Sequence, residues 1–241
     1  LMVLSTALFD KPAFKNVIVN GLVLAEDGRK MSKRLKNYPD PVAMLDTYGA
    51  DALRLYMIYS PVVRAENLCF TEEGVKNALR HLLIPLWNSY SFFVTYARID
   101  EWKPETGNLK PEFRKSKNLL DRWIHSSLER LTDDVVKAMD GYDLQQAVRP
   151  FVRFIEDLTN WYIRRSRRRF WKSTDDDDKA QAYATLYEVL LRLSKIAAPF
   201  IPFVSEAIYR NLRTPDIPES VHLCDFPISD GRGRDSELEA Q

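Results

Sequence analysis

Apolar residues recur every three or four positions through most of the chain after residue 70, while near the front they cluster in short β-branched runs. Leu120, Trp123, Ile124, Leu128, Leu131, Val135 and Met139 form one stripe, which predicts a helix over 117–139. Leu144, Ala147, Val148, Phe151, Ile155, Leu158 and Tyr162 form another, in a helix that begins near Asp143 and reaches Trp171. Pro150 either bends that helix or marks its start. Further helices are predicted over 179–197 and 203–212, with Pro199-Phe200-Ile201-Pro202 turning the chain between them. Thr71 offers a cap, Glu72 and Glu73 suit a helix start, and the pattern behind them runs to about Arg98 with a kink at Pro85.

The front differs in texture. Val17-Ile18-Val19 and Leu22-Val23-Leu24, split by Asn20-Gly21, predict short strands, and a second turn signal, Asp27-Gly28, follows. Asp40-Pro41 opens a short helix that Gly49 closes, a second helix spans 50–59, and Pro61 stands past its end. Val221 to Phe226 reads as one more strand. The fold class is therefore mainly α: a small α/β module over 1–65, an antiparallel α-helical bundle over 66–228, and a loose, charged tail over 229–241. Leu1 to Phe9 is apolar but lacks the basic flank and cleavage site of a signal peptide. It reads as the end of a buried helix, so the chain is expected to be a piece of a longer protein.

Composition narrows the class. With 241 residues, 45% hydrophobic and 29% charged, a disordered chain is excluded. The apolar runs stop short of the ~20 residues that a membrane-spanning helix needs, so no membrane partner is expected. Two distant cysteines, Cys69 and Cys224, exclude a disulfide scaffold and fit a reducing, cytoplasmic setting. The net charge of +1 hides two basic clusters.

The first is Lys30-Met31-Ser32-Lys33-Arg34, with Lys36 behind it, on a loop that follows a turn. Lysine ammonium groups are mobile point charges suited to phosphate, and Ser32 adds a hydroxyl; by charge alone a solvated surface loop is an equal reading. The order of residues decides between them. Lys-Met-Ser-Lys-Arg after a strand resembles the Lys-Met-Ser-Lys-Ser signature of class I aminoacyl-tRNA synthetases. Asn16 to Gly21 before it, Leu35 to Pro41 after it and Tyr48-Gly49-Ala50-Asp51-Ala52-Leu53-Arg54 sharpen the match. Asn160-Trp161-Tyr162-Ile163-Arg164-Arg165-Ser166-Arg167-Arg168-Arg169-Phe170-Trp171 resembles the isoleucyl branch in particular. Arg34 departs from the signature's final Ser; it keeps a donor and adds charge.

The resemblance implies that residues 30–34 close over ATP, which arrives with Mg as a substrate. It implies that Lys33 stabilises the pentacoordinate phosphate transition state, and that Lys30 supports it. Gly28 is a plausible hinge. The full enzyme resembled here joins isoleucine to tRNA(Ile). The His-Ile-Gly-His signature that holds the other end of ATP is nowhere in this sequence. Isoleucine would be bound by a region N-terminal to this chain, and the chain alone is expected to be inactive and to bind no metal.

The second cluster spans Arg149 to Lys172, eight basic residues against two acidic ones, a net +6. Cations interleaved with Trp161, Phe170 and Trp171 suit RNA through phosphate pairing and base stacking. Continuing the buried stripe at 100° per residue turns Arg165 and Arg169 inward, toward carboxylates of neighbouring helices, because a buried unpaired guanidinium is costly. It turns Arg164, Arg167 and Arg168 outward, and these, with Trp171 and Lys172, are the candidates for tRNA contact. The run Asp175 to Asp178 reads as a solvated interhelical loop, not a metal site. His81, His125 and His222 read as structural or surface residues, and Trp87, Trp123 and Tyr90 as core. Two rivals share parts of this pattern. A valyl or leucyl sibling would keep the loop and bundle, though the stretch from Asn160 argues against it. A helical module whose basic helix meets an acidic protein would lack the salt dependence of tRNA binding.

Overall fold

A computed structural model of the chain describes residues 1–104, 116–171, 176–229 and 234–239. Local chemistry places most helix starts. After α1 (Met2–Phe9), the Asp40 carboxylate accepts the Val42 N–H at 3.0 Å and opens α2 (Pro41–Tyr48). Gly49, at φ 81°, separates it from α3 (Ala50–Tyr59). Thr71 accepts the Gly74 N–H at 3.2 Å and starts α4 (Glu72–Ala78), which runs on through a π stretch, Leu79–Leu83, into α5 (Ile84–Ile99). The irregularity thus falls before Pro85. That residue has no N–H to donate, and its ring crowds the preceding turn, which widens.

Asn118 caps α6 (Leu119–Asp140), and Asp143 caps α7 (Leu144–Glu156). Pro150 lies inside α7 and neither starts nor ends it. A second π stretch, Asp157–Ile163, joins α7 to α8 (Arg164–Trp171), so one continuous helix covers 144–171. Then come α9 (Asp176–Ala197) and α10 (Pro202–Leu212). The fold is mainly α. Its core runs between α5, α6, α7 and α9, around Leu128, Phe151, Leu158, Leu186 and Leu190. Burying aromatic rings with polar tips requires partners for the tips. Tyr162 donates to Asp121 at 3.0 Å, Tyr187 to the Leu212 carbonyl at 2.9 Å and Tyr209 to the Pro218 carbonyl at 2.8 Å.

Strand content is smaller than the sequence predicts. β1 (Val23–Leu24) pairs in parallel with β2 (Leu68–Cys69), Val23 facing Leu68. The ladder cannot extend forward, because Leu22 N–H is taken by the Asn67 side chain and Gly21 N–H by the Val62 carbonyl. Gly21 presses against the Glu66 carbonyl so closely that a Cβ would sit 1.7 Å from its oxygen. Val17, Ile18 and Val19 consequently form no strand and are exposed. Val221–Leu223 is a 3-10 turn capped by Ser220, in place of the expected strand. α1, expected as the end of a buried helix, has no buried residue, and its apolar side chains are exposed.

The end of the chain departs from a loose tail where it is described. α11 (Ser236–Glu239) lies on α6, with Ser126 donating to Glu239 at 2.6 Å and Arg234 pairing with Asp133 at 3.6 Å. Tyr90 is buried as expected and Trp123 is half-buried, but Trp87 is 43% exposed. No helix among the described residues is long and apolar enough to cross a membrane.

His81 and His222 are exposed, whereas His125 is buried on α6. Burial, aided by the Arg192 charge, pushes its imidazole down to about 3. The folded value lies below the unfolded one, so the unfolded chain takes up a proton first as the pH falls. The His125 contribution to stability should therefore drop by about 1.4 kcal/mol per pH unit from pH ~6.5 down to about 3, and His125 should add no pH dependence above that window. In urea unfolding at about pH 7 and about pH 4.5, His125→Leu is expected to lose roughly one proton's worth less stability than wild type. Equal losses would assign the acid sensitivity to other groups.

Candidate nucleotide loop and nucleic-acid interface

Beyond β1 the chain turns at Ala25–Arg29, where Gly28 adopts φ 78° and the Ala25 N–H returns to the Arg29 carbonyl at 2.9 Å. Hydrogen bonds from Arg29, side chain first and backbone second, hold Asp27 below the usual carboxylate range and stiffen the turn. A bridge between Leu24 and Lys30 returns the chain beside the strand. Met31 then points down among Val23, Tyr38, Pro41, Met44, Leu53 and Phe70, around a 230 Å³ apolar cavity. Asn37 clips the backbone on both sides of that anchor: its Oδ1 accepts the Ser32 N–H at 2.9 Å, and its Nδ2 donates to the Lys30 carbonyl at 3.2 Å.

Lys30, Lys33 and Arg34 stand exposed on this frame, and Ser32 is half-buried. Among the described residues neither lysine has an ion-pair partner. The loop thus presents free cations from a backbone fixed underneath, an arrangement that can meet a polyanionic phosphate without first breaking internal pairs. Asn37 was missed at the level of sequence. Its role depends on a turn in which Lys36 takes φ 49°, and nothing in composition announces that.

The arginine helix holds a correction. Arg169 is turned inward, as the phase predicts. Its Nη1 and Nη2 bind the two Asp121 oxygens at 2.7 and 2.9 Å, its Nε binds Asp178 Oδ2 at 2.9 Å, and Tyr162 and Ser116 complete the shell around Asp121. Burial alone would pull the guanidinium pKa down, but hydrogen bonds to Asp121 and Asp178 reverse that and raise it. Arg165, expected inside, is exposed with its guanidinium 4.2 Å above the Trp161 ring. The reason is the π stretch. Its i→i+5 bonding turns less per residue, so seven residues advance the buried face by roughly one position. Ile163, Ser166 and Phe170 become the inward residues.

Arg164, Arg167, Arg168 and Trp171 are exposed, and Arg167 lies 5.8 Å from the Trp171 ring centre. Among the described residues none of Arg164, Arg165, Arg167 and Arg168 has a carboxylate partner. The outward face therefore combines four exposed guanidinium groups, two of them resting on exposed indoles, which suits stacked bases and backbone phosphates. Lys172 and Asp175 lie outside the described residues. Asp176 to Asp178 form the first turn of α9 instead of a solvated loop, because Asp178 is drawn in by Arg169.

The described geometry thus joins a parallel strand pair that feeds a lysine loop to a helical bundle with a cationic outer helix. A family model described as "tRNA synthetases class I (I, L, M and V)" matches residues 1–69, and one described as "Anticodon-binding domain of tRNA ligase" matches residues 121–241. The chain belongs to this anticodon-binding family of tRNA ligases.

It is 58% identical over 241 residues to an isoleucine–tRNA ligase of Protochlamydia amoebophila, covering 100% of this chain and 23% of that protein. To the isoleucine–tRNA ligase of Treponema denticola it is 53% identical over 247 residues, covering 99% and 22%. The chain thus spans less than a quarter of the length of these relatives. Among solved structures, a leucyl enzyme of Agrobacterium radiobacter K84, in a ternary complex with tRNA and LeuAMS, superimposes with a TM-score of 0.70 at 22% identity. The match covers 96% of this chain and 26% of that one. Mycobacterium tuberculosis methionyl-tRNA synthetase, solved with methionyl-adenylate, gives 0.65 at 20% identity over 82% of this chain and 38% of that one. At those identities the likeness is one of fold.

Proposed function

We propose that this chain is the ATP-phosphate loop and the tRNA anticodon-binding bundle of a cytoplasmic isoleucine–tRNA ligase, whose whole length joins isoleucine to tRNA(Ile) at the expense of ATP. The observation that carries the reading is the 58% identity along the entire chain to a protein of that name. In adenylate formation an isoleucine carboxylate oxygen attacks the α-phosphorus of ATP, and the bond to pyrophosphate breaks. Lys33, with Lys30 behind it, supplies positive charge where phosphoryl charge develops; Met31, Ser32 and Arg34 complete the phosphate-facing loop. Magnesium accompanies ATP as part of the substrate. Arg164, Arg167, Arg168, Trp171 and Lys172 face tRNA(Ile), and Arg165 joins them by its exposure. This chain alone, which carries no His-Ile-Gly-His, is inactive in isoleucine activation.

The test is tRNA binding by this chain across a salt series. A steep fall in affinity with rising salt is expected, and each of Arg164→Ala, Arg167→Ala and Arg168→Ala should flatten the log–log slope by about 0.7–0.9. Absence of tRNA retention at low salt, or a slope indifferent to all three changes, would remove the RNA face from this helix.

A further inference from the structure

Two charges in the Tyr48–Arg54 stretch serve neither the lysine loop nor the arginine face. Asp51 and Arg54 lie three residues apart, on one side of α3. The Asp51 side chain accepts the Val204 N–H at 2.7 Å and the Phe203 N–H at 3.4 Å, both in the first turn of α10, and the residue is only 4% exposed. Arg54 donates through Nη2 to the Pro199 carbonyl at 3.1 Å and through Nε to the Phe200 carbonyl at 3.4 Å. A carboxylate therefore meets the unpaired N–H groups of a starting helix, and a guanidinium meets carbonyls of the corner that ends α9. Each sign is the one that end of a helix favours.

Apolar packing holds the inner side of this corner, where Phe200 and Ile201 are buried and the Phe200 ring meets Phe151 edge-on at 5.5 Å, but it does not cover the outer side. Next to Asp51 a 420 Å³ gap opens between α3, α5 and α10, lined by Tyr48, Leu83, Trp87 and Phe203, with Phe203 66% exposed. On that open side the polar tie is what holds the corner against α3, and it adds direction to the apolar contact beneath. The other end of α9 is held too, since Asp178 in its first turn grips Arg169 of the arginine helix. At 22 residues, α9 is a rod of about 33 Å tied at one end to the loop module and at the other to the RNA-facing helix.

We propose that Asp51 and Arg54 are positioning residues that register the lysine-loop module against the bundle, so that tRNA held by the bundle presents its acceptor end correctly for aminoacyl transfer. The inference rests on the ligase reading above. Neither residue touches substrate. Their effect is geometric: an error of about 1 Å in placement, made far from the chemistry, can cost about 10²-fold in rate.

The experiment uses the full-length ligase and three readouts: isoleucine-dependent pyrophosphate exchange, tRNA affinity, and single-turnover transfer from preformed adenylate to tRNA. A wild-type enzyme that fails to charge tRNA with isoleucine sinks the ligase reading itself. Given a charging wild type, Asp51→Ala and Arg54→Ala should each slow transfer by about 10–100-fold while exchange and tRNA affinity stay within about two-fold. Asp51→Asn keeps an acceptor oxygen for Val204 N–H and should restore transfer to within about three-fold of wild type. The double alanine variant should be no slower than the worse single one, because both break one tie. Should Asp51→Ala fail to fold, Arg54→Gln on the more exposed side of the tie carries the test. Exchange and transfer falling in equal proportion, or transfer unchanged in a folded variant, overturns the proposal.

Discussion

Replacing Arg169 by Met is expected to destabilise this chain by about 3–5 kcal/mol, the largest effect of any single change on its helical face. Asp121 is 0% exposed, and Arg169 supplies its two shortest hydrogen bonds. Without the guanidinium the carboxylate stays buried with, among the described residues, Tyr162 and Ser116 left donating to it, and desolvation is less well offset. Asp178 loses its contacts with the Arg169 guanidinium as well, which weakens the hold of α8 on the first turn of α9. For a chain of this size that cost corresponds to a melting point lower by roughly 6–20 °C. Removing both ends of the pair, as in Asp121→Leu with Arg169→Met, should recover much of the loss, since an apolar pair of similar volume carries no desolvation cost. Urea unfolding followed by circular dichroism measures all three proteins. Arg168→Met is the control, an exposed arginine on the same helix that should cost at most about 0.5 kcal/mol. If Arg169→Met behaves like that control, the pair is solvent-screened and the helix is held by apolar packing alone.

The contrast between Arg169 and Arg165 shows how far this molecule can be read without coordinates. The helix starts at Asp40 and Thr71 were legible because a cap is local: each sits within three residues of the N–H group it satisfies. The stripes on α6 and α7 were legible because both helices keep a regular period. Arg165 was misplaced because a constant period was carried through Asp157–Ile163, where the hydrogen bonding changes. A trace of the shift is in the sequence, since Tyr162 and Ile163 are adjacent yet both buried, and Phe170 follows Ile163 by seven.

Strands fared worse than helices. Val17-Ile18-Val19 has strand composition, but a strand exists only when another backbone offers its N–H and C=O groups, and here Asn67 and Val62 intercept the ladder at Leu22 and Gly21. Long-range ties were invisible for a related reason. Asp51 meets α10 across about 150 residues of sequence, and no window of propensity or charge reports that contact. The lysine loop was found by the order of its residues and their resemblance to a family signature, whereas the Asn37 clip that shapes it depends on the three-dimensional turn.

The second large effect is expected at Lys33. In the full-length ligase, Lys33→Ala should slow isoleucyl-adenylate formation by about 10²–10³-fold, roughly 2.7–4 kcal/mol, while tRNA affinity stays unchanged. The argument begins from what the side chain does in the resting loop. Lys33 is exposed and, among the described residues, pairs with no carboxylate, so its removal breaks no internal contact and costs little stability. The backbone that aims it is held by Met31 in its apolar seat and by Asn37 on both sides, and the variant leaves those contacts in place. What disappears is one ammonium group at the position where phosphoryl charge grows as pyrophosphate departs. An interaction made mainly in the transition state lowers kcat and kcat/KM together, with little change in KM for ATP. Arg168→Ala should do the opposite, weakening tRNA binding and its salt dependence while leaving adenylate formation intact. Pyrophosphate exchange and a tRNA salt titration on the same two variants separate the roles. Comparable losses in both assays for both variants would mean that the loop and the arginine face act as one site, and the division of labour between nucleotide and RNA would have to be abandoned.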